Sequence, residues 1–287
     1  MLNVLEQAVR TSPTGQRSYS VWRSGACGQG HPEEDQVAQE VPVALELNGI
    51  SHATLLLTPA DLEDFAYGFS YTEGIIRSAQ DLYDLDIIER PQGLVIQATI
   101  ASACLNQLKL RRRNLAGRTG CGLCGLESLD EVQRPLDPLP AQPGRFAPQA
   151  IAHAMAQLRT MQPLHQATGA THAAAWANAQ GQIESVREDV GRHNALDKLI
   201  GQRLRNAQNS PPATNDSGFA VISSRASFEM VQKAAAAGIQ ALVAVSAPTS
   251  YAIDLANSLN LMLAGFARNH QFTVYSHHSF LADGSAL

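Results

Sequence analysis

"FAVISSRASFEMVQKAAAAGIQALVAVSAPTS", residues 219–250, runs twice from a short apolar segment into small hydroxyl residues. "FAVISS" and "ALVAVSAP" lack the polar alternation of a half-exposed strand and read as buried strands. "SFEMVQKAAAAG" between them reads as a helix, with a Glu229–Lys233 pair one turn apart and Gly238 as its stop. Alternation of strand and helix in so short a span implies an α/β layered sheet with helices on its faces. Ligands of such sheets sit outside the carboxyl ends of the strands. Ser223, Ser224, Arg225, Ser246, Thr249 and Ser250 are therefore expected along one rim. Helix capping accounts for Ser227 and Thr249, but it does not account for Arg225.

The same alternation extends to both sides. Upstream, "APQAIAHAMAQLRTM" places Ile151, Met155, Leu158 and Met161 on one helical stripe, which Pro163 ends. "THAAAWANAQGQIESVRED" reads as two strands around Gly181, and "RHNALDKLIGQRL" as a helix. Downstream, "TSYAIDLANSLNLMLAGFA" reads as one long helix and "FTVYSH" as a last strand. Residues 148–287 thus form an α/β domain. Residues 41–105 read as a smaller α+β part of antiparallel strands and one helix. Its hairpin turns at Asn48-Gly49 and a strand pair surrounds Pro91-Gln92-Gly93, while Thr58 caps a helix with Pro59 at its first position. Residues 1–40 are polar and read as a tail or a loosely packed first strand. Residues 106–147 lose periodicity and read as a flexible functional loop.

Bulk properties narrow the class. The chain has 287 residues, 45% hydrophobic and 16% charged, with a formal net charge of −5, a globular composition. A globally basic nucleic-acid binder is excluded, and no nucleic acid is expected as partner. Four cysteines (Cys27, Cys104, Cys121 and Cys124) are too few for a disulfide scaffold. The N-terminus lacks a cationic start followed by an apolar run, and the apolar stretch 234–248 is interrupted by Gln240. We expect a soluble cytoplasmic protein with no membrane partner.

Three constellations carry chemistry. "GRTGCGLCGLE", 117–127, holds Cys121 and Cys124 among glycines. Zinc binding, disulfide exchange and sulfur carriage all use such pairs. A closed zinc site needs four ligands, and glycines weaken the helix of a redox site. Lys109, Arg111, Arg112, Arg113 and Arg118 lie just upstream, and cations favour the nucleophilic thiolate. "EDVGRHNALDK", 188–198, pairs His193 with Asp197 and Asn194 with Lys198 at helical spacing, and starts a helix with Arg192, a phosphate ligand by chemistry and place. "TGATHAAAW", 168–176, offers His172, but Ala174 stands where the H-x-E of zinc deaminases needs its glutamate.

Together, "GRTGCGLCG", "TGATHAAA", "EDVGRHNALDKLIG", "SSRASFEMVQKAAAAGI", "SAPTSYAIDLA" and "LAGFARNHQFTVYSH" resemble the formate dehydrogenase accessory sulfurtransferase family, the FdhD type, from about residue 40 to 279. The resemblance implies a three-layer α/β/α sandwich like that of cytidine deaminases, and a homodimer. It implies a sulfurtransferase: a cysteine desulfurase loads sulfane sulfur as a persulfide on Cys121, assisted by Cys124. The sulfur then passes to the molybdenum cofactor, Mo-bis(molybdopterin guanine dinucleotide), before insertion into formate dehydrogenase. The family's cofactor segment maps to Phe266, Ala267, Arg268, Asn269, His270 and Gln271, departing from the common pattern at Asn269 and Gln271. Arg225, His193 and His172 are further candidate cofactor ligands, GDP-like nucleotides fit the same site, and no resident metal is implied. The rival expectation is a non-catalytic chaperone that binds and delivers the molybdenum cofactor.

Overall fold

The structure is a computed structural model that describes residues 15–25, 28, 30–114, 134–209, 218–268 and 271–282. Its larger sheet has six strands: β7 (His172–Ala177), β8 (Ile183–Asp189), β9 (Phe219–Ile222), β10 (Ala241–Ala244), β11 (Met262–Arg268) and β12 (Gln271–Ser276). They lie in the order β12-β11-β10-β9-β7-β8. β9, β10 and β11 are parallel, whereas β7, β8 and β12 pair antiparallel with their neighbours. The strand–helix–strand alternation read in residues 219–250 is present, and its two strands are β9 and β10.

Helices cover both faces of this sheet. Side chains alternate between faces along a strand, so each buried strand feeds two cores. Ala220, Ile222, Leu242, Ala244 and Leu263 pack with α5 (Arg192–Asn209), α6 (Phe228–Ala236) and α7 (Ser250–Ser258). Phe219, Val221, Ala241, Val243, Met262 and Ala264 pack with α3 (Pro148–Leu158). This two-faced burial also corrects the reading of residues 249–267 as one helix. Thr249 caps α7, Asn260 turns the chain with φ 53°, and the chain re-enters as β11, whose first four residues are buried. A segment apolar at every position has no helical stripe to distinguish it from a central strand. Pro163 does not end the helix at Met161 either. α3 closes at Leu158, and Pro163 opens the short helix α4 (Pro163–Thr168).

The smaller sheet runs β4-β3-β6-β5, from β3 (Val41–Leu47), β4 (Ile50–Leu57), β5 (Leu82–Arg90) and β6 (Gly93–Ile100). Both expected hairpins are present, but the sheet is mixed, because β3 pairs β6 in parallel. The crossover through α1 (Leu62–Thr72) docks the second hairpin beside the first. A second helix, α2 (Ser102–Asn114), follows β6 and carries the start of the Arg run, so periodicity continues where we expected a loop. Cys104 lies in the first turn of α2, buried beside Arg77 and Asp81. The segment read as a tail or a loosely packed first strand holds an antiparallel ribbon, β1 (Gln16–Ser24) with β2 (Gly30–Ala38), no residue of which is buried. Among the described residues no helix is long and apolar enough to cross a membrane.

The two sheets meet through α1 and α5. Positions 64, 68 and 72 of α1 face 197, 201 and 205 of α5, each a stripe of one residue per turn. Gly68 faces the Asp197 carbonyl and Gly201 the Asp64 carbonyl, so closely that a Cβ at either would overlap the opposing oxygen. Glycine is required here by distance and not by φ. Gly68→Ala and Gly201→Ala should each cost at least about 1–3 kcal/mol, the usual penalty of overpacking, as the helices are forced apart. Urea denaturation of each single variant checks this.

Candidate functional site

The sheet topology gathers most of the described candidate residues at one edge. β9, β10 and β11 end there, and because β7 runs antiparallel to β9, its first residue, His172, lies at the same edge. His172 pairs with Asp189, the last residue of β8, and α5 begins three residues later with Arg192 and His193. Ser223, after β9, accepts a hydrogen bond from the Ala173 N–H at 2.8 Å and donates its own N–H to the Ala173 carbonyl. Its hydroxyl is thus partly committed to holding the edge together. Ser224 donates to the Arg225 carbonyl, and Arg225 itself is exposed.

The expected cofactor segment does not follow a helix. Phe266, Ala267 and Arg268 end β11, and Gln271 begins β12. The pairing shifts between Gly265 and Arg268, and Phe266 takes φ 52° with its N–H donated to the Ser246 carbonyl. A bulky residue at positive φ is an uncommon conformation, and the bulge turns Phe266 outward, 43% exposed. Ala267 is buried in the α3-side core and can offer a ligand only its backbone, whereas Arg268 and Gln271 are exposed. Asn269, His270, Cys121, Cys124, Arg118 and Cys27 lie outside the described residues.

One aromatic feature escaped sequence reading. Phe228 and Tyr251 stack with centroids 4.3 Å apart and planes 5° from parallel, and Tyr251 is 45% exposed. Phe228 is the first residue of α6 and Tyr251 the second of α7, and each follows a serine. The repeated Ser–aromatic pair is the signal that could have found them.

The "EDVGRHNALDKL" stretch divides into locking and rim-facing residues. Asp189 accepts four hydrogen bonds: Gly191 N and the Asn194 amide on Oδ1, and Thr58 N and Lys198 Nζ on Oδ2. Lys198 Nζ also donates to the Thr58 carbonyl, and Asn194 to the Leu56 carbonyl. The motif therefore clasps the end of β4, across the junction of the two sheets. Thr58 is drawn into this clasp: its hydroxyl accepts from Val190 N, and the N-cap position of α1 is Asp61, whose side chain makes no capping hydrogen bond. The expected helical pairs give way to tertiary ones. Asp197 meets Lys233 at 2.9 Å and Thr72 at 2.7 Å, while Glu229 meets His193 Nε2 at 2.5 Å. A helix face turned to the core finds partners on neighbouring helices before partners on its own.

Electrostatics differ between lock and rim. Burial alone would lower the Lys233 ammonium, but Asp197 and Glu73 hold it above its ordinary value. Burial pushes the Glu73 carboxyl up, yet the Lys233 ammonium 2.8 Å away brings it below its ordinary value. The His193 hydrogen bond holds Glu229 low despite burial. Burial, then the charges of Arg192, His165 and His193, push the His172 imidazole below its ordinary value. Among the described residues no group of three or more His, Cys, Asp or Glu is placed to hold a metal ion.

The family model described as the FdhD/NarQ family matches residues 38–282. The chain belongs to the FdhD/NarQ family. The match begins at the last residue of the β1–β2 ribbon. Relatives include sulfur carrier protein FdhD of Bordetella petrii, 54% identical over 255 residues that cover 89% of each chain. The protein of the same name from Cupriavidus necator is 52% identical over 253 residues, 88% of this chain and 86% of that one. A solved structure described as a candidate formate dehydrogenase accessory protein from Desulfotalea psychrophila superposes with a TM-score of 0.70. It covers 93% of this chain and 99% of its own at 23% identity, so the likeness is one of fold.

Two outcomes test this FdhD/NarQ site as built. Lys198→Met leaves the Asp189 carboxylate buried without its ion partner and should cost about 3–5 kcal/mol by urea denaturation. Glu73 and Glu229 have folded pKa values below the ordinary 4.5. Their contribution is present above that value and lost as pH falls through the folded values. The thermal midpoint should therefore drop between about pH 5 and about pH 3, and by less in Glu73→Gln.

Proposed function

We propose that this chain is a cytoplasmic sulfur carrier serving formate dehydrogenase. A cysteine desulfurase loads sulfane sulfur onto Cys121, and Cys124 assists. The persulfide sulfur then passes to the molybdenum cofactor in its bis(guanine dinucleotide) form, the substrate held at the strand-end rim. The protein acts as a sulfurtransferase, as a homodimer. Support comes first from the family and from relatives that carry the name sulfur carrier protein FdhD. The Cys121-x-x-Cys124 pair next to an Arg run adds the chemistry, since cations favour thiolate and thiolate is the attacking form.

The observation that carries the reading is the rim itself. His172, Arg192, His193, Arg225, Phe266, Arg268 and Gln271 share one edge of the sheet although they are spread over a hundred residues of sequence. Cationic groups and the first turn of α5 suit phosphates, and the exposed rings of Phe266 and Tyr251 suit a planar base. We also read the six-stranded sheet as a relative of the cytidine deaminases. Ala174, at the place of their glutamate, is fully buried beneath α5 and α6, so the ancestral acid–base group is replaced by core.

Incubation with a cysteine desulfurase and cysteine should add about 32 Da, the mass of one sulfur, to the peptide that contains Cys121, as thiol–sulfane exchange requires. Mass spectrometry of the digested protein reads it. A Cys121→Ala variant should fail to restore formate dehydrogenase activity in cells lacking the wild-type protein. Restored activity would sink the carrier reading.

A further inference from the structure

The chain that follows the cysteine pair takes a path along α6 and α7 that the sulfur-carrier reading leaves without a task. Residues 134–142 form neither helix nor strand, yet both ends of this strap are fixed. One end lies far from the rim. Leu139 donates its N–H to the Leu259 carbonyl at 2.9 Å, and its own carbonyl accepts from the Asn260 amide at 3.0 Å. Leu259 and Asn260 follow the last turn of α7, whose first turn is at the rim. The Gln240 amide donates to the Pro140 carbonyl at 3.2 Å, just before β10 begins. From there the strap runs back toward the rim. Leu136 packs on the core that α6 shares, and the Arg134 N–H donates to Gln232 Oε1 at 2.9 Å. Gln232 lies four residues after Phe228 in α6, about 6 Å along the helix from its rim end.

The Arg134 side chain fixes this return point a second time. Its guanidinium lies against Gly74, where a Cβ would overlap Nη2. Gly74, with φ 64°, ends α1 and donates its N–H to the Tyr71 carbonyl. A cation at a helix C-terminus meets carbonyls that lack intrahelical donors, at the negative end of the helix dipole. This end of α1 is itself held against two other helices: Thr72 bonds Asp197 of α5, and Lys233 of α6 bonds both Glu73 and Asp197. Arg134 thus seats the strap on a junction of three helices, one turn from the rim.

Cys121 stands thirteen residues before Arg134. That length of chain spans at most about 45 Å, so a thiol carried from this anchor has the rim within reach. Counted from Leu139, the chain is eighteen residues long and starts at the far end of α7. An attached group acts at an effective concentration that falls as the connecting chain lengthens and as its origin moves away from the target.

We propose that Arg134, held by Gln232 and by the end of α1, is the positioning residue that returns the cysteine segment to the rim and so sets the local concentration of the Cys121 thiol there. The proposal rests on the reading of Cys121 as the sulfur carrier and of the rim as the place where it delivers. Arg134 acts on the encounter and not on the bond-making step.

Arg225→Cys supplies a second thiol on the exposed rim. In glutathione buffers the full chain forms a disulfide between that thiol and Cys121: the two thiols are oxidised, and glutathione disulfide is reduced to two glutathione thiols. Peptide mass mapping reads the bridged fraction, and its dependence on the glutathione ratio gives the effective concentration of Cys121 at the rim. In this background Gln232→Ala removes the acceptor of the Arg134 N–H, and Arg134→Gln removes the cation at the end of α1. Each should lower the effective concentration at least about twofold, and the two together by more. Iodoacetamide supplies the control: Cys121 should be alkylated at an unchanged rate, and the buried Cys104 should stay protected. No bridge in the Arg225→Cys parent, or an effective concentration unchanged in either variant, overturns the proposal. So does a fall that comes with alkylation of Cys104, which makes the anchor a part of the fold and not of delivery. Loading by a cysteine desulfurase is scored in the same samples. Cys121 that takes up no sulfur overturns the carrier reading and this proposal with it, whereas loaded Cys121 with an unchanged effective concentration overturns the proposal alone.

Discussion

A carboxylate with four donors organises this molecule. Asp189 is fully buried, and each oxygen accepts two hydrogen bonds, drawn from β4, from the β8–α5 turn and from α5. A buried charge is tolerated only when paired and hydrogen-bonded throughout. The site therefore ties the end of β8 to three other segments at once. Lys198, its ion partner, spends a second donor on the Thr58 carbonyl, so the clasp also closes the smaller sheet onto the larger. The start of α5, and with it Arg192 and His193, is placed by this one group. The rim inherits its geometry from a buried structural charge.

This division explains why one sequence stretch looks so dense with chemistry. Within "EDVGRHNALDKL", Asp189, Asn194, Asp197 and Lys198 serve assembly, whereas Arg192 and His193 open α5 at the sheet edge. The two roles alternate because a helix crossing from a sheet edge into a domain junction shows a different surroundings each residue. Spacing alone favours pairs within the helix, such as His193 with Asp197. It does not reveal which face another helix will cover, and α6 supplies the partners that displace those pairs.

The strand–hydroxyl–helix units of residues 219–250 were legible because two independent signals agreed: continuous apolar runs and hydroxyl stops. The rim followed from topology, since parallel strands end together. Legibility failed where a signal was ambiguous or non-local. Leu261–Ala264 is apolar at every position and looks equally helical. The parallel β3–β6 pair is set by a crossover and not by either strand's own pattern. Thr58 had every mark of a helix cap, yet the clasp outbid the cap for its hydroxyl. The Phe266 bulge has no signature in composition, because an aromatic at positive φ is held by neighbouring strands.

The glycine crossing of α1 on α5 has a bearing on what counts as a domain here. Composition separates the chain near residue 148, but the closest backbone approach in the junction joins a helix from each side of that line. Asp64, four residues before Gly68, holds Arg187 of β8 and Arg205 of α5, so helix spacing and ion pairing depend on the same contact. Severing the polypeptide between the two parts would then produce complementing fragments and not autonomous folding units. One half of this protein could not be traded for a foreign module without rebuilding the surface at which two peptide backbones touch.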